Sequence, residues 1–494
     1  MKFYTNVFSF GNKILYRERD ERGSYNNEVY FKPSLFVNTD KDTKYKSIYG
    51  KTLDRVQFEN KNDYMQFIEK YSDVNGFEIH GEIQAEYQFI RNHYGDMTPK
   101  YELLDVAFID IETTCDKGFP KIDNPEEKII AITISRKCEE PVVYCLGEYK
   151  AQGKETVHCF DNEENLLYKF LEYYSSRCPD IITGWSVRFF DIPYMYNRIK
   201  FVLGEKHAKK LSPWNIVREK IINRTGMPTG REEKVYDLIG VSTLDYYELY
   251  KTFTYTNRES YKLDYIAYIH LGERKLAYTE YNSIQEFYQN NFQKFIEYNI
   301  QDVKLVEKLD DKLKLMKLAV SLAYSAGVNF NDVFSQVKTW DVIIYNHLAK
   351  QNIIIPAKKK SRKDEQYVGA YVKEPLVGMH NWVVSFDLNS LYPHLIMQYN
   401  ISPETLTVDG MRGTVSPEGV MSNGPVTTKC LEENKSKNLS TAANGTTYIK
   451  NHRGFLAELM DKMYKDRKMF KNKSNDCKKQ LEAVKTEMKR RGIS

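Results

Sequence analysis

Cysteine is scarce: seven in 494 residues, an odd number, with no Cys-x-x-Cys pair among them. That usage fits free thiols in a reducing compartment and argues against a disulfide framework or a zinc site. No apolar run approaches the ~20 residues that a membrane span needs. The first residues, Met1-Lys2-Phe3-Tyr4-Thr5-Asn6, lack the apolar core of a signal peptide. A cytoplasmic protein without membrane contact is expected. A strong overall charge is missing too. The net is +5, but Asp461 to Ser494 holds 12 Lys and Arg against 5 Asp and Glu, a net +7 that leaves −2 for the rest. Such asymmetry fits a polyanion contact at that end or a solvated helical face. No internal repeat is evident. At 494 residues the chain exceeds one hydrophobic core, so three or four structural units are expected.

What is present begins with Val106-Ala107-Phe108-Ile109-Asp110-Ile111-Glu112-Thr113-Thr114. Read as a strand, period two puts Asp110 and Glu112 on one face and Ile109 and Ile111 on the other. Two carboxylates so close repel unless a cation sits between them, which suits Mg²⁺ or Mn²⁺ bound through oxygen. A polar strand end leading into a loop would carry the same pair. Asp191 stands two residues before Pro193 and reads either as a helix N-cap or as a further acid of such a site. Tyr298 and Asp302, four apart, share one face of a helix, as a surface pair or as site residues.

Along the chain, residues 1–104 read as short strands, Phe3–Phe10, Lys13–Arg17 and Val29–Phe36, and a helix at Lys61–Tyr71. From 105 strands alternate with helices, which predicts an α/β domain. Strands are expected at Val106–Ile111, Ile129–Ser135, Val142–Leu146 and Ile181–Trp185, and helices at Glu163–Ser175, Tyr194–Val202 and from Phe292 to about Leu315. Ile221–Ile239 reads as a hairpin with its tip at Gly226–Gly230. Residues 316–355 look helical and end at Pro356, followed by the basic linker Lys358–Lys363. A second apolar strand ending in an acid is predicted at Val383–Asp387. Thr407–Gly454 reads as an irregular insertion and Phe455 onward as a basic helix.

Five segments, in this order, resemble the motifs of family B DNA polymerases, in particular the T-even-type bacteriophage branch. Phe108-Ile109-Asp110-Ile111-Glu112-Thr113, Thr183 to Tyr194 and Tyr298-Asn299-Ile300-Gln301-Asp302 resemble the three proofreading-exonuclease motifs. Tyr367-Val368-Gly369-Ala370 resembles the switch motif between the two active sites. Ser385 to Pro393 is similar to the first palm motif. The resemblance implies a mixed α/β multidomain chain. Its parts would be an N-terminal domain over 1–104, completed by about 315–355, and a ribonuclease-H-like exonuclease domain over 105–314. The first part of the palm would cover 356–454 and a partial fingers helix 455–494. It implies that Asp110, Glu112, Asp191 and Asp302 hold two Mg²⁺ ions, Mn²⁺ being an alternative, and that Tyr298 hydrogen-bonds the water or the scissile phosphate. Asp387 would hold a polymerisation metal. Ser390 and Leu391 would cradle a dNTP's triphosphate through backbone amides, Tyr392 would exclude a 2′ hydroxyl, and Arg467 and Lys471 would grip phosphates. Ser186, Arg188, Tyr367 and Gly369 would contact DNA.

Three positions depart from the family pattern. Ser186 stands where Asn is usual, Arg188 where related phage enzymes often have an acid, and His394 where Ser is usual. No Lys-xxx-Asn-Ser-xxx-Tyr-Gly and no Asp-Thr-Asp motif occurs. The expected function is therefore DNA-directed DNA synthesis with 3′→5′ proofreading, in which synthesis needs a C-terminal polymerase fragment. Primer-template, single-stranded DNA, a sliding clamp and replisome proteins are the implied partners. A stand-alone 3′→5′ exonuclease and a non-catalytic nucleic-acid-binding module are the competing readings.

Overall fold

Phe3–Phe10 (β1), Lys13–Asp20 (β2) and Gly23–Tyr30 (β3), joined by tight turns at Gly11 and Glu21-Arg22, form an antiparallel sheet of order β1-β2-β3. The computed structural model describes residues 2–137, 139–223, 232–356, 372–407, 419–420, 424 and 426–492. It divides into two units. One comprises Met1–Leu35, Val56–Phe77 and Ile83–Asn346, the other Phe36–Arg55, Glu78–Glu82 and His347–Ser494. Where one strand is expected over Val29–Phe36 there are two, because β3 ends at Tyr30 and the next strand starts at Ser34. Pro33 intervenes, and its ring has no N–H for a ladder. The helix Lys61–Tyr71 (α1) forms as expected, opened by Asn60, whose side chain accepts from the Asp63 N–H. A second helix, Ala85–Tyr94 (α2), follows it.

The α/β alternation after residue 105 is realised as a six-stranded sheet. Its strands are Val106–Thr113 (β4), Ile129–Arg136 (β5), Val142–Leu146 (β6), Thr156–Phe160 (β7), Ile181–Thr183 (β8) and Ser242–Thr243 (β11). The order is β7-β6-β5-β4-β8-β11, with β4, β5 and β6 antiparallel and β8 and β11 parallel to β4. Val217–Asn223 (β9) and Glu232–Leu238 (β10) pair antiparallel as the expected hairpin; its tip lies outside the described residues.

Helices cover both faces. Ile109, Ile111, Ile132 and Ile134 pack with Leu167 and Phe170 of Glu163–Ser176 (α3) and Ile192 and Met195 of Asp191–Leu203 (α4). Tyr246–Phe253 (α5) and Leu263–Leu271 (α6) come next in the chain. On the opposite face Ile130, Ala131 and Val143 meet Phe295, Ile296 and Tyr298 of Phe292–Leu313 (α7). That helix ends at Lys314, whose left-handed φ of 57° breaks the run before Leu315–Ala326 (α8). Fully burying one such aliphatic or aromatic side chain contributes about 1.5–3 kcal/mol. The two apolar faces therefore fix α7 and β4 firmly against each other.

In the second unit a five-stranded sheet is built mostly from Ser34–Asn38, Tyr45–Ser47, Thr52–Gln57, Ile79–His80 and Ile353–Ile354. The strand predicted at Val383–Asp387 does not form: the segment is irregular and exposed, Phe386 at 89%. No neighbouring strand among the described residues offers it a ladder, and a lone strand has nothing to satisfy its backbone groups. Thr407–Gly454 is not wholly irregular either. It contains a helix, Thr428–Ser436, and a hairpin of Leu439–Thr441 with Thr447–Ile449. Leu391–Tyr399 (α9) packs on the basic helix Phe455–Arg490 (α10), where His394 meets the Tyr464 ring edge-on at 4.6 Å.

Candidate metal centre

Strand period places the acids. Because Ile109 and Ile111 face α3 and α4, Asp110 and Glu112 must face α7. There Asp302, on the face of α7 turned to the sheet, completes the group: one carboxylate oxygen from each of Asp110, Glu112 and Asp302 lies within 4.8 Å of the others. The fourth acid, Asp191, is the first residue of α4 rather than its N-cap, a position Phe190 takes. Its Oδ1 accepts the backbone N–H of Ile111 at 3.2 Å, so it sits beside the Asp110–Glu112 strand, past the end of the β8 ladder. Gly184 lets the chain leaving β8 pass close to β4: a Cβ there would lie 2.4 Å from the Ile109 carbonyl oxygen.

The turn after Gly184 is held by a carboxylate with a different task. Asp245, fully buried, accepts from the backbone N–H groups of Ser186 at 3.1 Å, Arg188 at 3.0 Å and Tyr247 at 2.9 Å. Ser186 has φ 70°, left-handed backbone that Asn tolerates better than Ser. The bond to Asp245 holds Ser186 in it.

Crowding shows in the ionisation of the acids. Burial and then Asp191, Asp302 and Glu112 push Asp110 well above the usual carboxylate range. Burial and Asp302 raise Glu112 to about 8, and burial raises Asp191 to about 7. Burial also raises Asp302, to about 6, against the pull of Lys275. Without metal these groups bind protons more tightly folded than unfolded. Their stability contribution is full below the unfolded value near about pH 4 and is lost as pH rises through the folded values. The Tm of metal-free protein is therefore expected to fall between about pH 5 and about pH 8.5. Glu112→Gln should recover several degrees at the higher pH and little at the lower. A gain independent of pH would reject the assignment, as would a Tm that rises over this window.

Lys275, which the motif reading did not single out, belongs to the centre. Its Nζ lies 2.5 Å from Asp302 Oδ2 and 4.4 Å from the centroid of the Tyr298 ring, and Asp302 and Tyr298 raise its own pKa against burial. Tyr298 is buried, and burial raises its hydroxyl further, so it remains a donor at neutral pH. With Asp302 Oδ2 held by Lys275, Asp302 Oδ1 is buried without a hydrogen-bond partner. Three converging carboxylates, one with an orphaned oxygen, form the hard oxygen donor set that a divalent cation takes.

The centre opens into a cleft of about 530 Å³, walled by Trp185, Tyr247, Tyr261 and Lys262 besides Asp110 and Asp302. Arg188 is engaged elsewhere, its Nη1 2.8 Å from Glu248 Oε2 with both side chains mostly buried.

Compared with known proteins, residues 68–266 match the description "DNA polymerase family B, exonuclease domain" and residues 334–491 match "DNA polymerase family B". The chain belongs to DNA polymerase family B. A DNA-directed DNA polymerase of Escherichia phage RB69 is 36% identical over 95% of this chain and 54% of its own length. That of Enterobacteria phage T4 is 32% identical over 98% of this chain and 55% of its own length. A DNA polymerase delta catalytic subunit of Schizosaccharomyces pombe is 24% identical over 98% and 44%. The chain thus spans about half the length of these relatives. Among the described residues no helix is long and apolar enough to cross a membrane.

Of the residues that match "DNA polymerase family B", those from His347 onward lie in the second unit. Asp387 is on the irregular, exposed segment, and Ser390, with φ 55°, precedes α9, whose first residues are Leu391 and Tyr392. Arg467 of α10 donates to Ser390 Oγ at 3.0 Å, and Lys471 is exposed one turn further along. Tyr367 and Gly369 lie outside the described residues.

Proposed function

We propose that residues 105–314 form a 3′→5′ exonuclease for single-stranded DNA, the proofreading half of a replicative polymerase. Residues 356–494 would supply the first palm motif, with Asp387, and the phosphate-gripping Arg467 and Lys471. The observation that carries the nuclease reading is the trio of carboxylates with oxygens within 4.8 Å of one another, two of them, Asp110 and Asp302, lining an aromatic cleft. Asp110, Glu112, Asp191 and Asp302 would hold Mg²⁺, or Mn²⁺, in up to two positions. Bound there, the metal supplies positive charge for the phosphate oxygens and lowers the pKa of water.

The chain's own groups do the rest. Lys275 fixes the Asp302 carboxylate and offsets its negative charge, which would otherwise repel a phosphodiester. The Tyr298 hydroxyl donates a hydrogen bond without titrating near neutral pH. Trp185, Tyr247 and Tyr261 offer ring faces for bases, worth about 1–3 kcal/mol per stacked base. Lys262, exposed at the start of α6, is placed to meet the backbone of an entering strand. Arg188 would first have to leave Glu248 to do so.

Incubating the purified chain with a 5′-labelled single strand and Mg²⁺ or Mn²⁺ tests the reading. A ladder of products shortened from the 3′ end is expected, and none with a chelator. Intact strands with both metals, or cleavage that a chelator leaves untouched, would defeat it.

A further inference from the structure

One polar chain at the centre has no part in the roles assigned above. Asn299, fully buried on α7, donates its Nδ2 to Asp110 Oδ2 at 2.6 Å, and its Oδ1 accepts the hydroxyl of Thr133, also fully buried. Thr133 stands on β5 directly opposite Asp110 on β4, so both side chains leave the sheet on the same face. Asn299 precedes Asp302 by three positions and so shares its helical face. Three elements, β4, β5 and α7, therefore close on one amide. A carboxamide can present either end. Facing a carboxylate, its NH₂ is attractive and its C=O repulsive, and the Thr133 hydroxyl is the donor that the C=O needs on the other side. The sequence of donors runs one way, from Thr133 through Asn299 to Asp110.

We infer that Thr133 and Asn299 are positioning residues: they lock one oxygen of Asp110 and set the spacing between Asp110 on β4 and Asp302 on α7. That spacing decides how well a divalent ion is held. The inference rests on the metal reading above. Groups that orient a metal ligand typically change metal affinity by about 10–100-fold when removed.

Mn²⁺ binding to the full chain, without DNA, is measured by calorimetry at fixed pH, with Asp110→Ala marking binding outside the centre. Asn299→Ala is expected to weaken Mn²⁺ about tenfold or more. Thr133→Val should weaken it less, and Thr133→Ser, which restores the hydroxyl, should bind like the parent. Parent-like affinity in a folded Asn299→Ala would overturn the inference, as would equal affinities of Thr133→Val and Thr133→Ser. If Asn299→Ala does not fold, the comparison of the two Thr133 variants decides alone. A parent chain that binds no Mn²⁺ at the centre defeats the metal reading itself. A parent that binds, with variants that match it, defeats only the latch.

Discussion

Asp110→Ala is expected to slow 3′→5′ degradation of single-stranded DNA about a thousandfold, at the upper end of what loss of one preorganised electrostatic group costs. The position explains the size. Asp110 is the acid on which the others converge: Asp191, Asp302 and Glu112 all raise its pKa, so all three lie within its electrostatic reach. Removing it takes one ligand from the group within 4.8 Å and leaves the Asn299 amide without its acceptor. Glu112, Asp191 and Asp302 hold a divalent ion less well without it, because hard cations need several oxygen ligands. The Tm should move by only a few degrees, since the lost hydrogen bond is offset by relief of carboxylate repulsion. Initial rates on a labelled oligonucleotide, with the Tm of the same preparation, check both halves. Parent-like cleavage by Asp110→Ala would remove the centre from the nuclease reading.

The centre was legible where regular periods carry it. Period two on β4 separates Asp110 and Glu112 from Ile109 and Ile111, and helical spacing on α7 aligns Tyr298 with Asp302. Lys275 was not legible. It lies between α6 and α7 in a stretch without regular structure, where no periodicity says which way a side chain points. Asn299 was hidden differently: it sits among motif residues, but only the tertiary pairing of α7 with β5 gives its amide two partners. Arg188 was expected to contact DNA because Glu248, 60 residues away, meets it only in the fold. The expected strand at Val383–Asp387 followed from apolar content, which reports what a segment could bury and not whether a partner strand stands beside it.

The largest stability loss is expected at the other end of the same sheet. Asp180, fully buried just before β8, forms ion pairs with Arg19 and, at 3.7 Å, with Arg17, both from β2. It also accepts from Ser24 Oγ and from the backbone N–H of Asp105, each at 3.0 Å. Asp105, just before β4, in turn pairs with Arg136 and Arg177. Two buried carboxylates thus tie the N-terminal sheet to the starts of the parallel strands. Asp180→Ala would leave Arg17 and Arg19 side by side with Asp105 as their nearest anion. Breaking a buried pair from one side costs about 3–5 kcal/mol, because the abandoned charge stays desolvated. Asp180→Asn should cost less, since its carbonyl oxygen can still accept the Asp105 N–H while its NH₂ donates to the Ser24 hydroxyl. Asp105 and Asp110 lie five positions apart along the strand direction, roughly 17 Å at the rise of a β-strand. Below the lowered Tm, cleavage by Asp180→Ala should therefore stay near the parent rate. Chemical denaturation and single-strand cleavage of the same variant separate the two effects. An unchanged denaturation midpoint would show the network to be energetically idle, and a cleavage defect in fully folded protein would show that it sets the metal centre as well.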